Sequence, residues 1–235
     1  MFSKTGLAKL IDAALLRGNA SSDDIRRLCT TAKKYHFAAV TVFPYWVSLA
    51  KRELNGSDVK VGTVIGLPFG ALSPLIKAAQ VRQAVHEGAL AVEVIVNIGE
   101  LVSMNYDVIR REINEVVSAG KMRGLTENGE EITVMMTVET SLTTREQQRR
   151  VCEMMAEARG DFITTNTGFG PRGVTVEDVL ALREMADHDL GIKASGGIRA
   201  LDQARSLINA GANRLGTSAG ILIVENFEDG RPGLD

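Results

Sequence analysis

The sequence predicts an α/β protein with the (β/α)8 TIM-barrel fold in a single domain. Eight short apolar runs alternate with eight helical segments along the chain, an order typical of βα units that build a parallel sheet. The length of 235 residues is typical of one such barrel. An open, doubly wound sheet is the alternative, but it would place a glycine-rich phosphate turn after the first strand, and none follows residue 16.

The first two βα units show the pattern that recurs along the chain. Residues 10–16 form an apolar run with Asp12 as its only acidic residue, which indicates a buried strand. Ser22 and the two aspartates after it then begin a helix that extends to Tyr35 with one apolar stripe. The β-branched run 38–44 indicates the next strand, which ends at a proline.

The later elements follow from the same criteria. The remaining predicted strands are residues 59–68, 90–98, 132–139, 162–166, 190–193 and 212–216. The remaining predicted helices are residues 46–54, 74–87, 106–118, 144–158, 174–186 and 201–210, and a short helix precedes the first strand. We expect residues 120–131 to be a surface connection and the acidic residues 225–235 to be a frayed tail of a domain spanning 1–235.

Composition limits the partners and the location. The chain has 27 Lys and Arg against 29 Asp and Glu, so no positive surface for nucleic acid or an anionic membrane is expected. The two cysteines, Cys29 and Cys152, lie in helical patterns without metal-ligand spacing, which favours packing in a reducing compartment. No secretory segment or apolar run of transmembrane length occurs, and the predicted location is cytoplasmic.

The three histidines are poorly placed for catalysis in a barrel. His36 and His188 precede predicted strands and His86 lies within a helix, whereas barrel enzymes use the loops that follow the strands. We therefore predict no metal site. A magnesium site built from carboxylates alone is the alternative.

Two charged side chains in the predicted strands are candidates for chemistry. The short run 190–192 leads into Lys193, which we expect at the carboxyl end of its strand, and Glu93 lies within the fourth strand. An unpaired charge inside a barrel costs several kcal/mol, so Glu93 and Lys193 should compensate each other or titrate abnormally. A purely structural ion pair is the alternative interpretation.

Two glycine-containing loops predict an anion site. Gly196 and Gly197 follow the seventh strand, and Gly216, Thr217 and Ser218 follow the eighth. Backbone N–H groups in such loops bind phosphate in many barrels. Tight turns without a ligand are the alternative.

Short motifs connect the chain to a known family. They are residues 10–12 (LID), 64–68 (VIGLP), 97–99 (NIG), 139–140 (ET), 167–170 (TGFG), 193–199 (KASGGIR) and 216–218 (GTS). In this order they resemble the deoxyribose-phosphate aldolase family of class I aldolase barrels, over about residues 7–224.

The resemblance implies an activity and a set of ligands. Family members cleave 2-deoxyribose 5-phosphate to glyceraldehyde 3-phosphate and acetaldehyde through a lysine Schiff base, without a metal or organic cofactor, and they often form dimers. The residues implied to hold the phosphate are Gly168, Gly196, Gly197, Gly216 and Ser218.

The chain departs from the family pattern at its reactive positions. The Schiff-base lysine of the sixth strand is Thr164 here, and the aspartate of the fourth strand is Glu93. Polar family residues near the first strand give way to Ala13 and Ala14. Lys193 matches the family lysine that lowers the pKa of the Schiff-base lysine. The Schiff-base lysine itself is missing from this chain.

Three functions follow from these departures. Lys193 is the relocated Schiff-base nucleophile, or it is a protonated oxyanion stabiliser with Glu93 as base, or the barrel is a noncatalytic protein that binds a phosphorylated metabolite. The expected partners are a small phosphorylated substrate and, because family members often form dimers, a second copy of the chain. The candidate catalytic residues are Lys193, Glu93, Asp12 and Thr164.

Overall fold

The computed structural model describes residues 3–122 and 130–227. Its strands are β1 (Ile11–Leu15), β2 (Ala39–Val42), β3 (Lys60–Ile65), β4 (Ala91–Ile95), β5 (Thr133–Thr137), β6 (Phe162–Thr164), β7 (Gly191–Ser195) and β8 (Arg214–Thr217). Its helices are α1 (Lys4–Ala8), α2 (Ser22–Tyr35), α3 (Val47–Glu53), α4 (Pro74–His86), α5 (Ile98–Val102), α6 (Tyr106–Gly120), α7 (Arg145–Glu157), α8 (Val176–Met185), α9 (Leu201–Asn209) and α10 (Gly220–Glu225). A 3-10 helix, Pro44–Trp46, precedes α3.

The strands form a closed parallel barrel in sequence order, with β8 paired to β1. Asp12 lies opposite Gly216 in that closing pair. Alternate strand residues point outward, and Val40, Ile192 and Leu215 join the apolar layer between the barrel and the helices. The predicted (β/α)8 barrel is confirmed.

Side-chain caps explain where several helices begin. Ser21 accepts a hydrogen bond from the N–H of Asp24, and the Asp24 carboxylate accepts one from the N–H of Ser21 at 2.9 Å. This reciprocal arrangement satisfies two otherwise unpaired donors. Ser21 is therefore the N-cap, one residue before the predicted start of the helix at Ser22. The arrangement is a capping box, in which Asp24 is the third helical residue.

Helix α5 was not predicted, because the apolar pattern of β4 continues to Ile98. The strand ends at Ile95, and the Asn97 side chain accepts from the N–H of Glu100 at 3.2 Å and begins the helix. Strands β5 and β6 also end earlier than predicted, at Thr137 and Thr164.

The two segments predicted as irregular are partly ordered. Gly120 is the last residue of α6 and Glu225 is the last residue of α10. Phe227 is buried, so the predicted frayed tail does not begin at residue 225. Residues 123–129 of the predicted connection and residues 228–235 of the predicted tail lie outside the described residues.

A buried ion pair between two helices, outside the barrel lumen, binds the backbone at the end of β4. Lys77 of α4 and Glu112 of α6 are both fully buried, with Nζ and Oε1 2.8 Å apart. Lys77 Nζ also donates to the carbonyl of Ile95 at 2.7 Å, and the N–H of Asn97 donates to Glu112 at 3.1 Å. Burial lowers the pKa of Lys77 and raises that of Glu112, and their attraction opposes both shifts.

Breaking this pair should destabilise the fold. We expect Lys77→Met to lower the free energy of unfolding by about 3–5 kcal/mol, because it leaves Glu112 buried without its cation. Urea denaturation measures the change. The double variant Lys77→Met/Glu112→Leu is the control and should recover part of the loss. A single variant as stable as the unmodified protein would contradict the assignment.

Candidate active site

Lys193 is the centre of a charged cluster in the barrel lumen. It is 2% exposed, and its Nζ lies 2.8 Å from Asp12 Oδ2 on β1 and 2.8 Å from Glu93 Oε2 on β4. The predicted compensation between Glu93 and Lys193 is therefore present, with Asp12 as a second carboxylate partner. Three of the four candidate catalytic residues meet at one amine.

The structure corrects the position of Lys193 within its strand. Strand β7 continues to Ser195, so Lys193 is its third residue and not its end. Ala194 and Ser195 pair with Leu215 and Gly216 of β8. Strand β7 can continue past Lys193 because the carboxylates of Asp12 and Glu93 neutralise the ammonium group inside the barrel.

Gly216 makes room for the lysine side chain. A Cβ at this position would lie 3.0 Å from Lys193 Cε and 2.8 Å from Ser195 Oγ. The sequence predicted Gly216 as the last residue of the eighth strand and as part of an anion loop, and β8 continues one residue further, to Thr217. The absence of a side chain at Gly216 leaves space for the Lys193 side chain and for a cavity at the carboxyl end of the barrel.

Arg214 and Thr137 complete the cluster. Arg214 Nη2 donates to Asp12 Oδ1, and the Thr137 hydroxyl donates to Glu93 Oε1 at 2.7 Å. Both oxygens of Asp12 and both oxygens of Glu93 thus have a partner. The cluster contains two cations, Lys193 and Arg214, and two anions. Arg214 was not among the predicted site residues, although it lies two residues before Gly216 and therefore on the same face of its strand.

The cluster shifts the pKa values of two members. Burial acts to lower the pKa of Lys193, but the charges of Asp12 and Glu93 outweigh it and raise the pKa above its usual 10.5. Burial acts to raise the pKa of Asp12, but Lys193 and Arg214 outweigh it and bring the pKa below 3.8. Both groups therefore carry their charges at neutral pH.

Thr164, the fourth candidate, lies on the strand next to that of Lys193. It is opposite Lys193 in the pairing of β6 with β7 and is fully buried. Within residues 3–122 and 130–227, its hydroxyl has no hydrogen-bond partner. A buried polar atom without a partner costs about 1–3 kcal/mol and is typical of functional positions.

The glycine loops surround a cavity of about 360 Å³ at the carboxyl end of the barrel. We call it the anion cavity. Ala14 and Ser195 lie on its inner side, two residues beyond Asp12 and Lys193 on their strands, so the cavity is one layer above the charged cluster. Arg17 and Arg199 also line it. All five predicted substrate-binding residues line it: Gly168, Gly196, Gly197, Gly216 and Ser218.

Three of these glycines have backbone conformations that side chains disfavour. The φ angles are +83° at Gly168, +99° at Gly196 and +78° at Gly197. A Cβ at Gly196 would also lie 3.5 Å from the backbone nitrogen of Gly168. The loop of Gly168 and the loop of Gly196 and Gly197 therefore come close together where neither has a side chain. Without side chains, their backbone N–H groups are accessible to an anion.

Glu139 supports the loop that contains Gly168. It is fully buried, with φ at +49°, and its carboxylate accepts from the N–H and hydroxyl of Thr167 at 2.9 and 2.7 Å. Asn166 Nδ2 donates to it at 2.8 Å. These contacts give Glu139 a structural role, and it lies two residues after the end of β5 rather than on the predicted strand.

Among the described residues, neither a metal-binding cluster nor a membrane-spanning helix occurs. No group of three or more His, Cys, Asp or Glu side chains arranged to hold a metal ion occurs among residues 3–122 and 130–227. In that same part of the chain, no helix is long and apolar enough to cross a membrane.

Comparison with known proteins places this barrel among the aldolases. A family model described as DeoC/LacD family aldolase matches residues 7–226. The chain belongs to the DeoC/LacD family of aldolases, and the resemblance drawn from its motifs is confirmed.

Curated relatives share most of the chain. A deoxyribose-phosphate aldolase of Caldanaerobacter subterraneus subsp. tengcongensis is 42% identical over 226 residues, covering 96% of this chain and 95% of the relative. A deoxyribose-phosphate aldolase of Thermoanaerobacter sp. (strain X514) is 44% identical, covering 94% and 96%.

Solved structures agree with the fold. An aldolase named QR15 is 35% identical with a TM-score of 0.84, covering 93% of this chain and 94% of that one. A deoxyribose phosphate aldolase from Aeropyrum pernix, described as having a unique tetrameric structure, is 26% identical with a TM-score of 0.86, covering 97% and 93%.

The charge network should make stability depend on pH in a defined direction. Because the folded pKa of Asp12 lies below its unfolded value of 3.8, its contribution is complete above that pH and is lost as the pH falls through the folded pKa. We expect Asp12→Asn to be less stable than the unmodified protein by about 3–5 kcal/mol near pH 7, and the gap to shrink below pH 3.8.

Urea denaturation from pH 7 to pH 2 measures this gap. Asp189→Asn, at an exposed position, is the control and should differ little from the unmodified protein throughout. A gap for Asp12→Asn that widens as the pH falls would contradict the assigned direction.

Proposed function

We propose that the protein is an aldolase-family enzyme that makes or breaks a bond beside the carbonyl of a phosphorylated substrate without forming an imine at the sixth strand. Protonated Lys193 stabilises the oxyanion, and Glu93 transfers the proton. The observation that carries this proposal is the Lys193 Nζ within 2.8 Å of both Asp12 and Glu93, beside Thr164.

The surroundings of Lys193 favour an ammonium over a free amine. A Schiff-base nucleophile attacks as the neutral amine, which requires a lowered pKa. Two carboxylates raise the pKa of Lys193 instead. A fixed ammonium in a site shielded from water is suited to stabilise charge that develops on a carbonyl oxygen.

The two carboxylates have different partners, which supports different roles. Asp12 accepts from two cations, Lys193 and Arg214, so we assign it to hold Lys193 in place. Glu93 accepts from one cation and from the Thr137 hydroxyl. Proton transfer from a carbon next to a carbonyl needs a positioned base, and we assign this role to Glu93.

The anion cavity supports a phosphorylated substrate. Positive-φ glycines and two arginines, Arg17 and Arg199, line it directly above the cluster. A phosphate bound there would direct the attached carbon chain towards Lys193, which positions the carbonyl and does not require a metal.

Thr164 is the basis for proposing altered chemistry. Threonine does not form an imine, and its unpartnered hydroxyl is free to bind an oxygen of the substrate. The curated relatives are named deoxyribose-phosphate aldolase, so 2-deoxyribose 5-phosphate is the first substrate to test. The alternative is a noncatalytic protein that binds a phosphorylated metabolite.

Assembly and location stay predictions from the sequence. A homodimer and a cytoplasmic location are compatible with the family, and the Aeropyrum pernix relative is described as tetrameric. The proposed mechanism uses residues of one chain only and no organic cofactor.

Trapping with borohydride tests the absence of an imine. After incubation with acetaldehyde or glyceraldehyde 3-phosphate and reduction, we expect no added mass on the unmodified protein. Thr164→Lys is the positive control, because the neighbouring Lys193 ammonium should lower the pKa of a lysine placed there and allow a trapped adduct. An adduct at Lys193 of the unmodified protein would contradict the proposal.

Kinetics test the roles of the two charged residues. Lys193→Met should lower kcat/KM for the identified substrate by about 100- to 1000-fold, the effect of removing one oxyanion donor. Lys60→Met, at the exposed start of β3, is the matched control and should retain activity. Phosphate-ester binding that is undiminished in Glu93→Gln, without turnover by any variant, would favour the noncatalytic alternative.

A further inference from the structure

A second cavity adjoins the anion cavity. It has a volume of about 240 Å³ and lies between the end of β1, helix α2 and the start of α10. We call it the side cavity. Four residues line both cavities, so they are neighbours across a shared wall: Ala14, Leu15, Arg17 and Ser218.

The walls of the side cavity are mainly apolar. Leu28 of α2, Phe37 and Ile221 of α10 contribute carbon surfaces. Polar side chains also line it, and Arg17 Nη2 is 2.8 Å from Asp24 Oδ2; the others are Arg27, Thr31 and Ser218. A mainly apolar cavity with a few polar groups is typical of a small-molecule site.

Two small residues leave this space open. Ala13 is 4% exposed and points out of the barrel, opposite in direction to Ala14 on the same strand. Gly220 also lines the cavity, and a Cβ there would lie 3.2 Å from the ring of Phe37. Ala14 thus borders both cavities, whereas Ala13 lines the side cavity and not the anion cavity.

We propose that the side cavity binds an apolar alkyl or aryl arm of an organic phosphate whose phosphate group lies in the anion cavity. This inference rests on the proposed function, because it uses the same anion cavity. Arg17 borders both spaces and is placed to contact the phosphate where the apolar arm begins. The substrate class is therefore a phosphate ester with an apolar substituent.

Calorimetric titration with a series of probes tests the proposal. The probes are inorganic phosphate and methyl, butyl and hexyl phosphate. Burial of one methylene group contributes about 0.8 kcal/mol, which corresponds to about a fourfold lower Kd. We expect Kd to fall along the series by about that factor per buried methylene until the side cavity is filled.

Two variants and a control assign the effect to this cavity. Ala13→Leu fills the cavity and should remove the dependence on chain length while leaving the Kd of inorganic phosphate unchanged. Because Ala13 is buried, Ile221→Ser at a 40% exposed position is the second variant and should weaken hexyl phosphate binding severalfold. Leu222→Ser, its 58% exposed neighbour that does not line the cavity, should bind like the unmodified protein.

The outcomes separate this inference from the proposed function. If all four probes bind with the same Kd, the side cavity takes no apolar arm and the inference is wrong, while the anion cavity stands. If no probe binds, including inorganic phosphate, the anion cavity of the proposed function fails as well. An equal loss of hexyl phosphate binding in Ile221→Ser and Leu222→Ser would also overturn the inference.

Discussion

The neutralisation of one buried ammonium group is the constraint on which the rest of the site depends. Lys193 is almost inaccessible to water, and an isolated charge there would cost several kcal/mol. Asp12 and Glu93 offset this cost from two other strands, and Arg214 balances the second carboxylate. Four charges from β1, β4, β7 and β8 therefore hold the lumen in one arrangement.

This arrangement connects the fold to the chemistry. In an aldolase that uses a Schiff base, a cation near the reactive lysine helps to keep that lysine neutral. Here, by the resemblance to that family, Thr164 stands at the position of the reactive lysine, and carboxylates of Asp12 and Glu93 lie 2.8 Å from the Lys193 amine. The proposed function therefore assigns an oxyanion stabiliser and a base to the same barrel, and membership of the DeoC/LacD aldolase family supports carbonyl chemistry.

The first strand shows how small residues set the shape of a site. Successive side chains of β1 point to opposite faces, so Ala14 borders the anion cavity and Ala13 lies against the helices. In the sequence, Ala13 and Ala14 both stand where family members have polar residues near the first strand. In the structure they open two adjoining spaces, and Arg17 borders both.

The sequence by itself determined the barrel and its glycine loops, because strand period and repeat order are local properties. It also identified Glu93 and Lys193 as buried charges that either compensate each other or titrate abnormally, because an unpaired buried charge is costly. Only the tertiary structure decided that Asp12 and Arg214 join that pair, since residues more than 200 positions apart meet when β8 closes against β1. It also decided that β7 continues past Lys193 and that Asn97 begins a helix. The first outcome depends on carboxylates from β1 and β4, which no local pattern contains. The Asn97 cap is local, but the apolar pattern that continues to Ile98 conceals it in the sequence.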